Sequence, residues 1–251
     1  MKIFDKLKTI INWKSFFIIL AGCMAGSLLV MPYQAALSSD IAKLGAQMYL
    51  VALIQSALIF PPAIFIGLLL MKKAGFGLPV LEGENKPAAF KSILAPSAVW
   101  GAAAGALIIL ASLLFMNTSL DMLGEEAAAP VWTGFLASFY GGIAEETLFR
   151  LCLMSLLVWL TMKIKIPRNI GVWSIIILTG VLFGLGHLPI TSALVEITPM
   201  IVVRAIVLNS IGSVVFSLLY WKRGLESAML GHFSADIVLH VITPFIASLF
   251  I

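Results

Sequence analysis

Charge is what this chain has least of. Only 11% of its 251 residues are Asp, Glu, Lys or Arg, while 61% are hydrophobic. An average soluble domain has about 25% charged and about 45–50% apolar residues. So few charges cannot cover a water-exposed surface, which excludes a soluble enzyme and leaves a polytopic helical membrane protein. The short alternating segments of a transmembrane barrel are missing as well. Cysteine is limited to Cys23 and Cys152. Both lie in apolar runs and read as small packing residues, and neither a disulfide framework nor a CxxC metal pair exists. There is no P-loop, no GxGxxG, no H-E-x-x-H zinc signature, and no serine or cysteine in a nucleophile motif. The net charge of +4 comes without a basic patch interleaved with aromatics, so no nucleic-acid partner is indicated. Internal repeats and low-complexity tracts are also missing.

Long apolar runs fill the chain instead. A helical span needs about 20 predominantly apolar residues, and seven runs qualify: 15–37, 46–71, 94–116, 130–162, 170–188, 199–221 and 225–250. The expected fold is all-α, a transmembrane bundle of about seven to eight spans with the site inside it. Residues 1–129 would supply the first three helices, and residues 130–251 a core that carries the chemistry. Lys2, Lys6, Lys8 and Lys14 precede an apolar run from Phe16 to Met31. That run is long for a signal peptide and reads as a retained first helix.

Basic residues give the topology. Besides the four N-terminal lysines, Lys72, Lys73, Lys86 and Lys91 follow the second span. Lys163, Lys165 and Arg168 follow the fourth, and Lys222 and Arg223 the sixth. The alternate connections hold only Lys43 and Arg204. Thirteen of the 16 basic residues therefore fall on one side, which the positive-inside rule makes cytoplasmic. This predicts an integral, multi-pass protein with its N-terminus in the cytoplasm and its C-terminus outside. Residues 74–87 hold Gly75, Gly77, Pro79, Gly83 and Pro87 and form the one sizeable cytoplasmic loop. Gly22-x-x-x-Gly26 and Gly101-x-x-x-Gly105 permit close helix approach, and ordinary packing explains them better than a dimer motif.

Against this background the ionisable residues within spans stand out, because each is costly in hydrocarbon unless paired or hydrated. The fourth span contains Gly141-Gly142-Ile143-Ala144-Glu145-Glu146-Thr147-Leu148-Phe149-Arg150. Glu146 and Arg150 are four apart, share a face and can pair. Glu145 is turned about 100° from Glu146 and remains available as a base. The bland reading is a structural ion pair between helices. Glu125-Glu126 is a decoy, since Pro130 stands where the arginine would be. With Asp121 it belongs to a polar, outward-facing segment, 117–130.

Two further motifs follow. In Phe183-Gly184-Leu185-Gly186-His187-Leu188-Pro189 the glycines allow close backbone approach and Pro189 can end the helix. A lone histidine beside an apolar run is more often structural. In the last span His232, Asp236 and His240 recur every four residues on one face. Three ionisable groups on a single stripe imply a water-lined surface, with His240 the best candidate for a supporting role. This set supports two chemistries. In one, His187, His232 and a carboxylate hold zinc. In the other, Glu145 takes a proton from water while histidine and a polar neighbour stabilise the oxyanion. Spacing does not choose between them.

E-E-x-x-x-R, then F-x-x-x-H, then H-x-x-x-(N/D), each on its own helix, resembles the CAAX-protease and bacteriocin-processing family, which includes abortive-infection-type proteins. The resemblance covers about residues 130–240. It implies a glutamate-dependent intramembrane endopeptidase without a metal, acting on a peptide or protein at the bilayer, possibly a CAAX-type prenylated one. By similarity Glu145 would activate water, assisted by His187, while His232 and Asp236 would form the oxyanion hole. Glu146 and Arg150 would shape the site or contact the substrate, and Phe183 would pack beside it. Asparagine is common in the family where Asp236 stands. An ionised Asp236 cannot donate to an oxyanion, so it would have to be protonated or instead orient His232. Rival readings are a zinc protease and a non-catalytic transporter-like or immunity protein. One difficulty is geometric: in straight helices Glu145, His187 and His232 would differ in depth by about 10–15 Å, so tilted or broken helices are expected, for example near Gly141-Gly142.

Overall fold

The computed structural model describes residues 11–118 and 129–249. Lys2, Lys6, Lys8, Asp121, Glu125 and Glu126 lie outside the described residues. Among the described residues all regular structure is helical.

The first span is α1 (Trp13–Leu29), capped by the Asn12 side chain, which accepts from the Lys14 and Ser15 amides. It passes almost directly into α2 (Met31–Leu37), which has Pro32 in its first turn. After α3 (Ser39–Lys43) come α4 (Gln47–Met71) and the single turn α5 (Pro79–Glu82). Next is α6 (Lys86–Ser112), capped by Asn85. Lys86 and Lys91, expected in the connection after the second span, therefore lie on α6.

The stretch 131–163 winds in sequence as α7 (Val131–Phe139), a π-helical segment (Tyr140–Glu145), a second π-helical segment (Thr147–Met154) and α8 (Ser155–Lys163). Then follow α9 (Arg168–Gly186), α10 (Leu188–Thr191), α11 (Pro199–Arg223) and α12 (Leu225–Asp236). The last helix ends with a third π segment (Ile237–Ile242) and α13 (Thr243–Ser248).

Six helical stretches are long and apolar enough to cross a membrane: Trp13–Leu37, Gln47–Met71, Lys86–Met116, Arg168–Thr191, Pro199–Arg223 and Leu225–Ser248. They correspond to six of the seven expected spans. The seventh, 131–163, is helical throughout, but the charged residues at its middle keep it out of the apolar set. Arg204, expected in a connection, lies instead in the second turn of α11.

One core joins the chain. Phe16, Ile19 and Cys23 of α1 and Phe60, Ile64 and Leu68 of α4 pack with Leu151, Met154, Val172, Ile176, Phe216 and Tyr220. The two stretches distinguished above, 1–129 and 130–251, therefore share their interior. Small residues bring the helices close. A Cβ on Gly101 would overlap the Gly231 carbonyl oxygen of α12, and one on Gly105 would crowd Ala235. Gly22 and Gly26 likewise meet Ile143 and Tyr140. Both small-residue motifs thus serve packing within the chain.

At one end of the bundle three connections touch. Arg168 donates to the Ala74 and Gly75 carbonyls at 3.2 and 3.1 Å. The Leu225 amide donates to the Gly77 carbonyl at 3.1 Å. The Glu226 carboxylate accepts from the Val80 and Leu81 amides at 3.0 and 2.8 Å, filling the N-terminal donors of α5. The basic segments after the second, fourth and sixth spans therefore sit together, as a shared membrane side requires.

Gly101→Ala should force α6 and α12 apart. Overpacking of this kind costs about 1–3 kcal/mol, and a lowered midpoint of thermal unfolding in detergent is the expected result.

Candidate active site

The site is built from the middle of the 131–163 helix outward. An arginine and a glutamate four residues apart on a buried face must meet, and the Arg150 Nη1 donates to Glu146 Oε1 at 2.9 Å, both side chains being 0% exposed. A second nitrogen of the guanidinium is held by α11: Nη2 donates to the Ser213 hydroxyl at 2.8 Å and to its carbonyl at 3.1 Å. The Phe183 and Phe216 rings flank it, 5.1 and 5.4 Å from its central carbon. The same Glu146 Oε1 accepts from His232 Nδ1 at 2.7 Å. Because an ionised carboxylate can only accept, Nδ1 carries a proton and Nε2 is the nitrogen turned to the site. Phe216 stacks on the His232 ring at 4.3 Å with an 18° tilt, fixing its plane.

His232 Nε2 faces two carboxylates: Glu145 Oε2 at 3.8 Å and Asp236 Oδ1 at 3.5 Å. Glycine is required at 141 for this, since a Cβ there would collide with Asp236 Oδ2 and press on His232 Nε2. Glu145 keeps 20% of its side chain exposed, whereas Glu146 is sealed, so the two carboxylates differ in exposure as their 100° offset implies. His187 closes the last turn of α9. Its Nδ1 donates to the Phe183 carbonyl at 2.8 Å, leaving Nε2 outward, and its ring lies edge-on to Phe183 at 4.6 Å.

A cavity of about 270 Å³ is lined by Glu145, Phe183, His187, His232 and Asp236. The depth difference that straight helices would impose is thus removed. Each π segment re-phases the helix that follows it. The first of them includes Gly141-Gly142, residues with weak α-helical preference. The α9 helix stops at Gly186, just before His187, and Pro189 stands in the first turn of α10. Glu146 and Arg150 do not line the cavity. They stand behind it, where Glu146 holds His232 and Arg150 holds Glu146. His240 reaches the same cavity, its Nδ1 3.1 Å from the Tyr33 hydroxyl. Among the described residues no three His, Cys, Asp or Glu side chains are gathered to hold a metal ion.

Sequence reasoning missed Ser213, Phe216, Tyr33 and Gly141. Serine, phenylalanine and tyrosine inside an apolar span carry no signal of their own. Gly141 had one, its place beside the acidic pair, but only Asp236 opposite shows what it is for.

Fold and site together define a class: an integral membrane helix bundle with a buried acid–imidazole cluster around an internal cavity. Residues 127–238 match the family model described as type II CAAX prenyl endopeptidase Rce1-like. That segment holds all three motifs, and over it the chain is similar to this family of CAAX-type endopeptidases. The match supports a membrane protease that acts on membrane-associated peptides. No curated protein and no solved structure was found to match the chain.

Arg150→Met should leave Glu146 sealed, with His232 Nδ1 as its one remaining hydrogen-bond donor. Breaking a buried pair in this way costs about 3–5 kcal/mol, so thermal unfolding should show a far larger loss than for Glu145→Gln.

Proposed function

We propose that the protein hydrolyses a peptide bond of a membrane-anchored substrate with a water activated by Glu145, and without a metal. The observation that carries this reading is the pair Glu145 Oε2 and His232 Nε2, 3.8 Å apart on the wall of one cavity. A single water can touch both a base and a hydrogen-bond donor there.

Glu145 accepts a proton from the water as its oxygen bonds to the scissile carbonyl carbon. The carbonyl electron pair moves onto oxygen, and His232, as an imidazolium with a proton on each ring nitrogen, donates through Nε2–H to that oxyanion. Asp236, 3.5 Å from the same nitrogen, donates a second hydrogen bond when protonated and steadies the imidazole when ionised. On collapse the C–N bond breaks, and the proton held by Glu145 passes to the leaving amine, assisted by His187 through its outward Nε2. Glu146, Arg150 and Ser213 hold His232 in register for this.

In this reading the contacting basic connections face the cytoplasm, and the N-terminus lies there too. A substrate with a C-terminal prenylated cysteine would then approach from the side on which such proteins are anchored.

The test is cleavage of a farnesylated CAAX peptide by purified protein in detergent. Glu145→Gln should lower kcat/KM by about 10²–10⁴-fold, and His232→Ala by about 10²–10³-fold, with the chelator-treated parent fully active. Activity that survives both substitutions overturns the assignment. Activity lost to chelator and restored by zinc overturns the metal-free mechanism.

A further inference from the structure

The cavity has a floor and a mouth, and they point to opposite ends of the bundle. Four helices show where it stops. The lining residue nearest the end where the basic connections touch is Glu145 on the 131–163 helix, Phe183 on α9, Phe216 on α11 and His232 on α12. Glu145 and His232 are therefore part of the floor. Phe216 stops seven residues short of Arg223, and His232 stands seven residues past Leu225. About 10 Å of helix thus separates the floor from the basic end. That interval is filled. Leu151, Met154, Tyr220 and Leu225 are all fully buried. Beyond them the Phe76 ring lies 4.6 Å from that of Tyr220, and Leu78 is buried in the same core. Close packing of this kind leaves no passage for a peptide.

In the other direction the lining runs on. It includes Leu37, the last residue of α2, and Leu194, which stands in the turn after α10. Both are partly exposed. Among the described residues, no connection at the basic end contributes to the lining. The mouth therefore lies at the end without the basic segments, which is the outer end when those segments are cytoplasmic. We propose that the protein also cuts membrane-anchored peptides displayed on the outer face, admitting them between Leu37 and Leu194 and lowering the scissile bond to Glu145 and His232. This rests on the endopeptidase reading and adds to it an entrance and a second substrate class. A peptide held at the outer leaflet meets the mouth directly, whereas one anchored on the cytoplasmic side has to cross the bilayer to reach it.

Sealed proteoliposomes test this, sorted by whether an N-terminal affinity tag is accessible from the bath. The probe is a farnesylated CAAX peptide with a highly charged head, which stays in the leaflet that it enters. Vesicles with the N-terminus inside should cleave peptide added to the bath about tenfold or more faster than those with it outside, and detergent should bring both to one rate. Equal rates before detergent, faster cleavage with the N-terminus outside, or cleavage that appears only in detergent each overturn the inference. In intact cells the tag should be shielded from added protease, and its digestion there overturns the outer-face assignment. A second arm does not depend on orientation. In a Cys152→Ala background, which leaves only the buried Cys23, a bulky maleimide on Leu194→Cys should lower kcat/KM in detergent about tenfold or more. The same label on Lys73→Cys, exposed at the basic end, should leave it unchanged. The reverse pattern, or no effect at Leu194→Cys, overturns the proposed mouth. If Leu194→Cys does not fold, Leu37→Cys takes its place. Failure of the parent to cleave the peptide in detergent overturns the protease reading itself.

Discussion

The structure turns on a carboxylate oxygen used twice. Glu146 Oε1 receives both Arg150 Nη1 and His232 Nδ1, at 2.9 and 2.7 Å. With Ser213 of α11 accepting from the guanidinium, that small knot joins the 131–163 helix, α11 and α12 at the centre of the bundle. In a low-dielectric interior a carboxylate, a guanidinium and an imidazole stabilise one another only in this mutual arrangement, and each left alone would destabilise the fold. The cluster is therefore both a fastening and the reason His232 has one orientation.

Around it the helices depart from regularity next to the ionisable residues. Two π segments adjoin the acidic pair, and a third follows Asp236. The α9 helix stops at its histidine. Rare windings concentrated at one site agree with the general tendency of π-helical turns to mark functional positions. They give a wall on which Glu145, His187, His232 and Asp236 converge although they come from three helices.

Much of this was legible in the sequence, for a definable reason. In an apolar chain an ionisable residue has few roles open to it, so Glu145, Glu146, Arg150, His187, His232 and Asp236 announced themselves by standing where charge is costly. The four-residue step from Glu146 to Arg150 told of their pairing, and the offset of Glu145 told of its freedom. Illegible were the contacts that cross between helices. Nothing in the string ties Glu146 to His232, 86 positions away, or marks Ser213 and Phe216 among many serines and phenylalanines. The π windings were likewise hidden, because Gly141-Gly142 signals weakness in a helix without saying which irregular form will replace it. Arg204 was misplaced in a connection because a charge near the end of an apolar run reads as its boundary.

The helix that carries the knot is also the one least fit to enter a bilayer by itself. While the chain is being made, 131–163 emerges with two carboxylates and a guanidinium before Ser213 and His232 have been synthesised. During that interval its charges lack the partners on α11 and α12 that later hold them. The order of synthesis thus makes this protein's biogenesis a cooperative event, in which the last third of the chain admits the middle.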